Sequence, residues 1–280
     1  MEQEQYTVNQ ILDRYVRDCF GELAPRTQRD YLKHIKHLRA WFGERIAAEL
    51  KPKDFSIFME VEKGKLNRNK MMAVLSSAFT FAVQRWYWID HNVCRNVWRH
   101  PSKPRTRLIK DAEFAAFRAM VPLRVQLAMD IALRSGQRQG DILSMRWEAL
   151  SRGKWHLTQA KTGKRLAVKL SLSFKKTLWR CSQLETRGHA REIVILNESG
   201  VPYTSDGFRS IWQRSMRAWV AAGNERFTFH DIRALAATKC KTIQEAMLLL
   251  GHSNISMTRR VYRRGEEEAE SLEVELAEAA

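Results

Sequence analysis

The chain carries the stretch GQRQGDIL at residues 136–143, in which a basic and an acidic side chain stand three positions apart. At this spacing Arg138 and Asp141 would share one face of a helix. A guanidinium held by a carboxylate presents its remaining donors rigidly, which suits the recognition of an anion such as phosphate. For this stretch on its own, a surface ion pair is the simpler interpretation.

Downstream of this stretch, apolar side chains occupy every second position on both sides of KTGK, residues 161–164. This alternation predicts a β-hairpin whose turn carries Lys161 and Lys164. Lysines at a turn are usually just solvated, so the hairpin alone does not indicate a site. The alternating residues are Trp155, Leu157, Leu166, Val168 and Leu170.

Two more segments carry groups of the types that phosphoryl transfer needs. The segment FHDIR places His230 and Arg233 on one helix face, a pair that is often structural. The segment LGHSNISMTRRVY places His252 ten residues before Tyr262. Taken singly, Tyr262 would more often be a packed aromatic residue.

Apolar spacing predicts a mainly α protein with a small antiparallel β-hairpin or sheet, an α+β fold. Besides the hairpin, we expect one short strand at residues 192–196. The predicted helices cover residues 7–20 with Thr7 as N-cap, 26–43, a short segment near Pro52, a long segment ending near Trp88, 110–120, 122–134, a segment after Gly136, 172–186, about 205–221, and short helices up to 262.

Composition predicts four parts along the chain. Residues 1–98 read as a helical domain, and residues 99–107, with two prolines and four Lys or Arg, read as a basic interdomain linker. Residues 108–265 form the second domain. Residues 266–280 contain seven Glu and no basic residue, and they form an acidic tail.

The charge is strongly positive and unevenly distributed. The chain has 48 Lys and Arg against 31 Asp and Glu, and seven of these acidic residues lie in the tail, so the first 265 residues carry 48 basic against 24 acidic side chains. This excess is spread through folded segments, which favours nucleic acid over a membrane surface as the partner. A merely soluble basic protein is the alternative.

The predicted helix 26–43 has an apolar face and, opposite it, a cationic face without an acidic side chain. The segment 63–70 and the linker add further basic residues. An ordinary solvated face is the alternative to phosphate contact. The candidates for DNA binding are Arg26, Arg29, Lys33, Lys36, Arg68, Lys70, Arg105, Arg107 and Lys164.

The four cysteines stand far apart, so they predict neither a zinc ribbon nor a disulfide framework, and we assign no metal and no cofactor. No run of about 18 uncharged apolar residues occurs, and the N-terminus lacks the features of a signal peptide. These observations argue against membrane insertion and secretion, and they favour the cytoplasm, where a DNA-binding protein would lie on the nucleoid.

Together and in this order, the motif segments resemble the tyrosine recombinase or phage integrase family. The matching segments are GQRQGDIL with Trp147, KTGK, FHDIR, LGHS, and Met257 to Tyr262. A weaker resemblance at residues 24–31 and 67–82 extends it to the N-terminal half. The resemblance implies a helical core-binding domain and a mixed catalytic domain that form a C-shaped clamp on DNA.

The resemblance also implies the chemistry. Tyr262 would attack the scissile phosphate, form a 3′-phosphotyrosyl bond and leave a 5′-hydroxyl, without a metal ion. Arg138 and Arg233 would hold the non-bridging oxygens as negative charge develops. Lys161, or alternatively Lys164, would protonate the leaving oxygen.

Three further side chains take supporting roles in this interpretation. His230 would accept the tyrosine proton or support the phosphate, and His252 would donate a hydrogen bond to the phosphate. Asp141 would contact these catalytic side chains without touching the phosphate itself.

The resemblance predicts a site-specific DNA recombinase, and specifically an integrase, that acts on double-stranded DNA as a homotetramer through a Holliday junction. A directionality factor or a host DNA-bending protein is a further candidate partner. The alternatives are a type IB topoisomerase and a non-catalytic DNA-binding regulator. The acidic tail would dock on a neighbouring protomer, and a disordered tail or one folded back in cis is the alternative.

Overall fold

The structure is a computed structural model that describes residues 5–62, 64–102, 107–184 and 192–262. The chain divides into two compact units, Met1–Lys103 and Pro104–Ala280. The acidic tail at residues 266–280 lies outside the described residues, as do residues 103–106 of the predicted linker.

The first unit is built from helices, and the first of them begins at the predicted N-cap. The Thr7 hydroxyl accepts from the backbone N–H of Gln10, and the Gln10 side chain accepts from the backbone N–H of Thr7. This capping box satisfies two donors at the helix start. The helices are α1 (Val8–Cys19), α2 (Pro25–Phe42), α3 (Ser56–Val61) and α4 (Lys65–Gln84), with 3₁₀ helices at Phe20–Glu22, Ala47–Glu49, Pro52–Phe55 and Val93–Asn96.

The core of the first unit surrounds α4, which buries a wide face because α1, α2 and α3 all pack against it. Phe42 of α2 contacts Phe55 and Phe58 with ring centroids 4.8 and 5.4 Å apart. Tilted aromatic pairs of this kind stabilise a core beyond the area they bury. The core thereby fixes α2, the helix for which a cationic face is predicted.

The second unit contains helices and a small antiparallel sheet, as predicted. Helix α6 is buried along most of its length because α5, α7, α8 and α10 pack around it. The elements are α5 (Asp111–Met120), α6 (Leu123–Ser135), α7 (Gln139–Leu143), β1 (Leu150–Ser151), β2 (Lys154–Thr158), β3 (Arg165–Lys169), α8 (Leu172–Ser182), α9 (Ser205–Ala221), α10 (Asp231–Thr238), α11 (Ile243–Leu250) and α12 (Ile255–Tyr262).

The predicted hairpin is confirmed, with strand order β1-β2-β3 in the sheet. Trp155 pairs with Val168, and both side chains are buried on the inner face. The turn closes where the backbone N–H of Gln159 donates to the carbonyl of Lys164 over 2.9 Å. Gly163 supplies the left-handed turn residue with φ 66°.

The prediction of a strand at residues 192–196 is wrong. Ile193 and Leu196 form only isolated bridges, to Arg146 and Pro202. All four apolar residues from Ile193 to Leu196 are buried, so the segment packs as a continuous apolar run without a ladder partner. Such a run resembles a fully buried strand in sequence, because periodicity cannot distinguish the two.

A buried carboxylate ties the first helices of the second unit together. Asp130 on α6 is 5 % exposed and accepts two hydrogen bonds, of 2.8 and 2.7 Å, from Arg118 on α5. Arg134 lies 3.5 Å from the same carboxylate. A carboxylate and guanidinium paired in this bidentate way form a strong and directional contact.

We predict that Asp130→Ala lowers the free energy of unfolding by about 2–3 kcal/mol, because it leaves a partly buried guanidinium without its acceptor. Urea denaturation of the purified protein measures this loss. Asp206→Ala removes an 88 % exposed carboxylate that pairs with Arg209, and it should cost less than about 1 kcal/mol. Equal unfolding midpoints for the two variants would contradict a stabilising role for Asp130.

Candidate active site

Three of the predicted catalytic side chains converge in the second unit. Arg233 lies in the first turn of α10, Arg138 immediately precedes α7, and His252 follows the end of α11. The Nη2 atom of Arg233 lies 3.2 Å from Nε2 of His252. Arg138 is close enough for its charge to lower the pKa of both other groups.

Arg233 is 4 % exposed, and main-chain carbonyl groups hold its guanidinium. Its Nη1 and Nη2 atoms donate to the carbonyls of Gly136 and Leu250, each over 2.5 Å. Gly136 ends α6 with φ 65°, and a Cβ atom there would lie 3.1 Å from a side-chain carbon of Leu250. Both features favour glycine at the turn that brings this carbonyl to Arg233.

The two guanidiniums lie close enough for the charge of one to act on the other. Burial, together with the charge of Arg138, lowers the pKa of Arg233 to about 9. Arg138 is half-buried, and its Nη1 atom donates to Oε1 of Gln159 over 2.9 Å. In the part of the chain that the structure describes, neither arginine forms an ion pair with a carboxylate. Two neighbouring guanidiniums of this kind are suited to bind an anion.

His252 is buried beside the arginines with 7 % of its surface exposed. Burial, and then the charges of Arg233 and Arg138, lower its pKa to about 4, so the imidazole is neutral at pH 7. Because Arg233 can only donate, Nε2 of His252 acts as the acceptor and Nδ1 carries the hydrogen. Nδ1 then donates to Oγ1 of Thr258, 3.0 Å away.

The two lysines of the hairpin turn occupy different environments. Lys164 is half-buried, and its Nζ atom donates to the carbonyl of His252 over 3.2 Å. Lys161 is exposed at the turn. Lys164 therefore joins the hairpin to the loop that carries His252, whereas Lys161 faces the solvent.

The expected pair of Arg138 with Asp141 does not form. Asp141 is buried, and its Oδ1 atom accepts from the backbone N–H of Ala160 over 2.9 Å, which ties α7 to the hairpin turn. Its Oδ2 atom is buried without a hydrogen-bond partner among the described residues. Arg138 precedes α7 in an extended conformation, so the two side chains do not share a helix face.

The remaining predicted catalytic residues lie at the ends of two helices. His230 is exposed at the N-cap of α10, and the positive charge it carries when protonated contributes to the lowered pKa of His252. Tyr262 is the last residue of α12, and its side chain lies outside the described part of the structure. Helix α12 is linked to the site because Thr258, which is fully buried, contacts His252.

Sequence reasoning missed Gln159, which is fully buried and contacts Arg138. The sequence does contain a feature that points to Gln159. Residues 155, 157 and 159 alternate onto the inner face of the hairpin, so a polar residue at 159 stands where an apolar one is expected. Gln137 was also missed, and it donates to the carbonyl of Leu249 over 2.7 Å.

The predicted cationic face of α2 is present in the first unit. Its four basic residues and Lys70 of α4 are exposed. Burial, and then the charge of Lys70, lower the pKa of His34, so Lys70 of α4 lies close to α2 at His34. The exposed residues of α2 are Arg26, Arg29, Lys33 and Lys36.

Two other DNA-binding candidates make contacts within the protein. Arg68 is 7 % exposed and donates to the carbonyl of Met59, so it joins α4 to α3 and is not on the cationic surface. Arg107 forms ion pairs with Glu113 and Glu225, at 2.6 and 2.9 Å. Arg105 lies outside the described residues.

In the described ranges, no three His, Cys, Asp or Glu side chains are grouped so that they could hold a metal ion. Within the same ranges, none of the helices has the length and apolar character needed to span a bilayer.

Comparison with known proteins identifies a family and its relatives. The model of the Phage integrase family matches residues 106–268. The integrase of Escherichia phage HK022 is 26 % identical over 91 % of this chain and 75 % of its own length. The integrase of Escherichia phage lambda is 26 % identical over 90 % of this chain and 74 % of its own length.

The fold is similar to that of lambda integrase. A dimer of lambda integrase residues 75–356 bound to a COC′ core site has a TM-score of 0.82 at 24 % identity, covering 96 % of this chain and 100 % of that one. A lambda integrase tetramer bound to a Holliday junction also has a TM-score of 0.82 at 24 % identity, covering 96 % of this chain and 81 % of that one. Because the family model matches more than half of the sequence, including every segment of the candidate site, the chain belongs to the phage integrase family of tyrosine-type site-specific DNA recombinases.

Proposed function

We propose that this protein is an integrase that cleaves and rejoins double-stranded DNA through a 3′-phosphotyrosyl intermediate. The observation that carries the proposal is the pair Arg138 and Arg233, which lie beside a neutral His252 and, among the described residues, form no ion pair with a carboxylate. The singly charged phosphate of a DNA strand suits this receptor, because planar guanidinium donors match its non-bridging oxygens.

In the proposed step, the phenolic oxygen of Tyr262 attacks phosphorus, and the bond from phosphorus to the 5′ oxygen breaks. His230 takes the phenolic proton, and Lys161 gives a proton to the departing 5′ oxygen. One phosphodiester bond replaces another, so the reverse reaction with a different 5′-hydroxyl rejoins the strand without an external energy source.

The arginines act on the charge that develops during this step. Arg233 already points its donors to fixed acceptors, so little reorganisation is needed when a phosphate oxygen arrives. The oxygen would compete with Nε2 of His252 for the Nη2 hydrogen. Its negative charge would also raise the pKa of His252, and a hydrogen on Nε2 would then be available for donation to the phosphate.

The assembly proposed for this chain follows from the solved relatives. Lambda integrase has been solved as a dimer on a core site and as a tetramer on a Holliday junction. We extend this to a homotetramer of the present chain on paired sites, located on DNA in the cytoplasm. Residues 1–98 would bind the core site through the cationic residues of α2 and Lys70, and residues 108–265 would carry out the chemistry.

We predict that Tyr262→Phe abolishes covalent attachment to DNA and leaves binding to the site nearly unchanged, because it removes the attacking oxygen without a change in charge. A nicked duplex that contains the attachment site traps the adduct, which denaturing electrophoresis detects. Tyr203→Phe is the matched control, since Tyr203 packs against Phe208 with ring centroids 5.4 Å apart. An adduct formed by Tyr262→Phe would show that the nucleophile is another residue.

We predict that Lys161→Ala slows cleavage of ordinary DNA by at least about 100-fold and is largely rescued by a 5′-bridging phosphorothiolate, because a thiolate leaves without an acid. Single-turnover cleavage of the two substrates measures the rescue. Lys164→Ala should show no selective rescue, since its Nζ atom contacts the carbonyl of His252. Rescue confined to Lys164→Ala would transfer the acid role to that residue.

A further inference from the structure

Gln159 is a buried polar residue at the junction of the hairpin turn and the arginine pair. It follows β2 directly and is 0 % exposed. Its Oε1 atom accepts from Nη1 of Arg138 over 2.9 Å and from the hydroxyl of Thr162 over 3.0 Å. Its Nε2 atom donates to Oε1 of Gln137 over 2.7 Å and to the carbonyl of Leu250 over 3.0 Å. The amide therefore uses both acceptor positions and both donors.

The backbone of the same residue closes the turn that carries both lysines. Its N–H donates to the carbonyl of Lys164 over 2.9 Å, and its carbonyl accepts from the N–H groups of Thr162 and Gly163 over 3.2 and 2.8 Å. The position of Lys161 is thus linked through one residue to that of Arg138. The link reaches Arg233 as well, because Arg233 shares the Leu250 carbonyl with Gln159.

Neighbouring residues pack closely against the amide of Gln159. A Cβ atom at position 251 would lie 2.8 Å from Nε2 of Gln159, so Gly251 allows the loop after α11 to approach the amide. Beside it, Asp141 accepts from the backbone N–H of Ala160 over 2.9 Å. These two contacts restrict the movement of the turn relative to the arginines.

We propose that Gln159 is a positioning residue for strand cleavage, which sets the place of the general acid Lys161 relative to the phosphate held by Arg138 and Arg233. The proposal rests on the function proposed above. An acid must come within hydrogen-bond distance of the leaving oxygen, and Lys161 is an exposed side chain on a turn. The turn needs a rigid connection to the phosphate-binding groups, and Gln159 supplies it.

The chemistry of the site favours glutamine over glutamate at this position. A carboxylate would pair with Arg138 and compete with the phosphate for its donors. It would also place an oxygen against the oxygens of Gln137 and Leu250, to which Nε2 donates now. Gln159 therefore orients Arg138 without neutralising it.

The test compares Gln159→Met with the unaltered protein on ordinary DNA and on DNA with a 5′-bridging phosphorothiolate. Methionine keeps most of the volume and removes the hydrogen bonds. We expect cleavage of ordinary DNA to slow by about 10- to 100-fold, because a small misplacement of a catalytic group has effects of this size. The thiolate substrate should recover most of this loss, which would not happen if Gln159 only stabilised the fold.

Three companion variants make the result specific. Gln126→Met is the matched control, because Gln126 also donates to a main-chain carbonyl, that of Val121, but lies away from the site; it should cleave at the parent rate. In a Lys161→Ala background, Gln159→Met should cause little further loss. Thr162→Val removes one hydrogen bond to Gln159 at an exposed position, and it should show a smaller loss that the thiolate also recovers.

A parent-like rate of Gln159→Met on ordinary DNA, or a loss that the thiolate leaves unchanged, would overturn the positioning role. If Gln159→Met does not fold, as circular dichroism would show, Thr162→Val decides instead, and a parent-like rate of that variant would overturn the role. If the unaltered protein forms no adduct with either substrate, the proposed function fails first and the positioning role fails with it.

Discussion

The buried charge of Arg233 is the constraint on which the second unit depends. A guanidinium inside a protein is costly unless its donors are satisfied, and the carbonyls of Gly136 and Leu250 satisfy them here. Each carbonyl belongs to the end of a helix, α6 or α11, and a glycine in the left-handed conformation stands at or directly after it. Because main-chain oxygens hold the arginine and no carboxylate of the described residues pairs with it, its charge stays available for an anion.

The other groups are arranged around this charge. His252 follows the second of these glycines, and burial together with the neighbouring cations keeps it neutral at pH 7. The hairpin also contacts these groups, because Lys164 donates to the His252 carbonyl and Gln159 accepts from Arg138. A short loop, a helix cap and a turn thus form a single hydrogen-bonded network. Such a network loses much of its effect when one member is removed, so its catalytic and positioning residues act as a unit.

The sequence predicted most of the fold because its patterns are local. Alternation across KTGK identified the hairpin, and Thr7 as an N-cap residue identified the start of α1. Predictions failed where the outcome depends on tertiary partners. The apolar run 192–196 found no ladder partner, and Arg68 found a main-chain acceptor inside the first unit. The catalytic groups were recognised by their order, but the contact of Asp141 with Ala160 and the role of Gln159 depend on how the turn meets α7, which spacing does not encode.

The most direct test of the account is the pKa of His252 with and without an anion, measured by NMR of the imidazole, with His252→Gln to assign the signal. In the free protein we predict that His252 stays mostly neutral from pH 8 down to pH 5, because burial and the charges of Arg233 and Arg138 lower its pKa to about 4. Sulfate, which stays fully ionised over this range, should raise the pKa, since it offsets those charges. An ordinary pKa near 6.5 that sulfate leaves unchanged would contradict the central claim that this site is a buried cationic cluster that binds an anion.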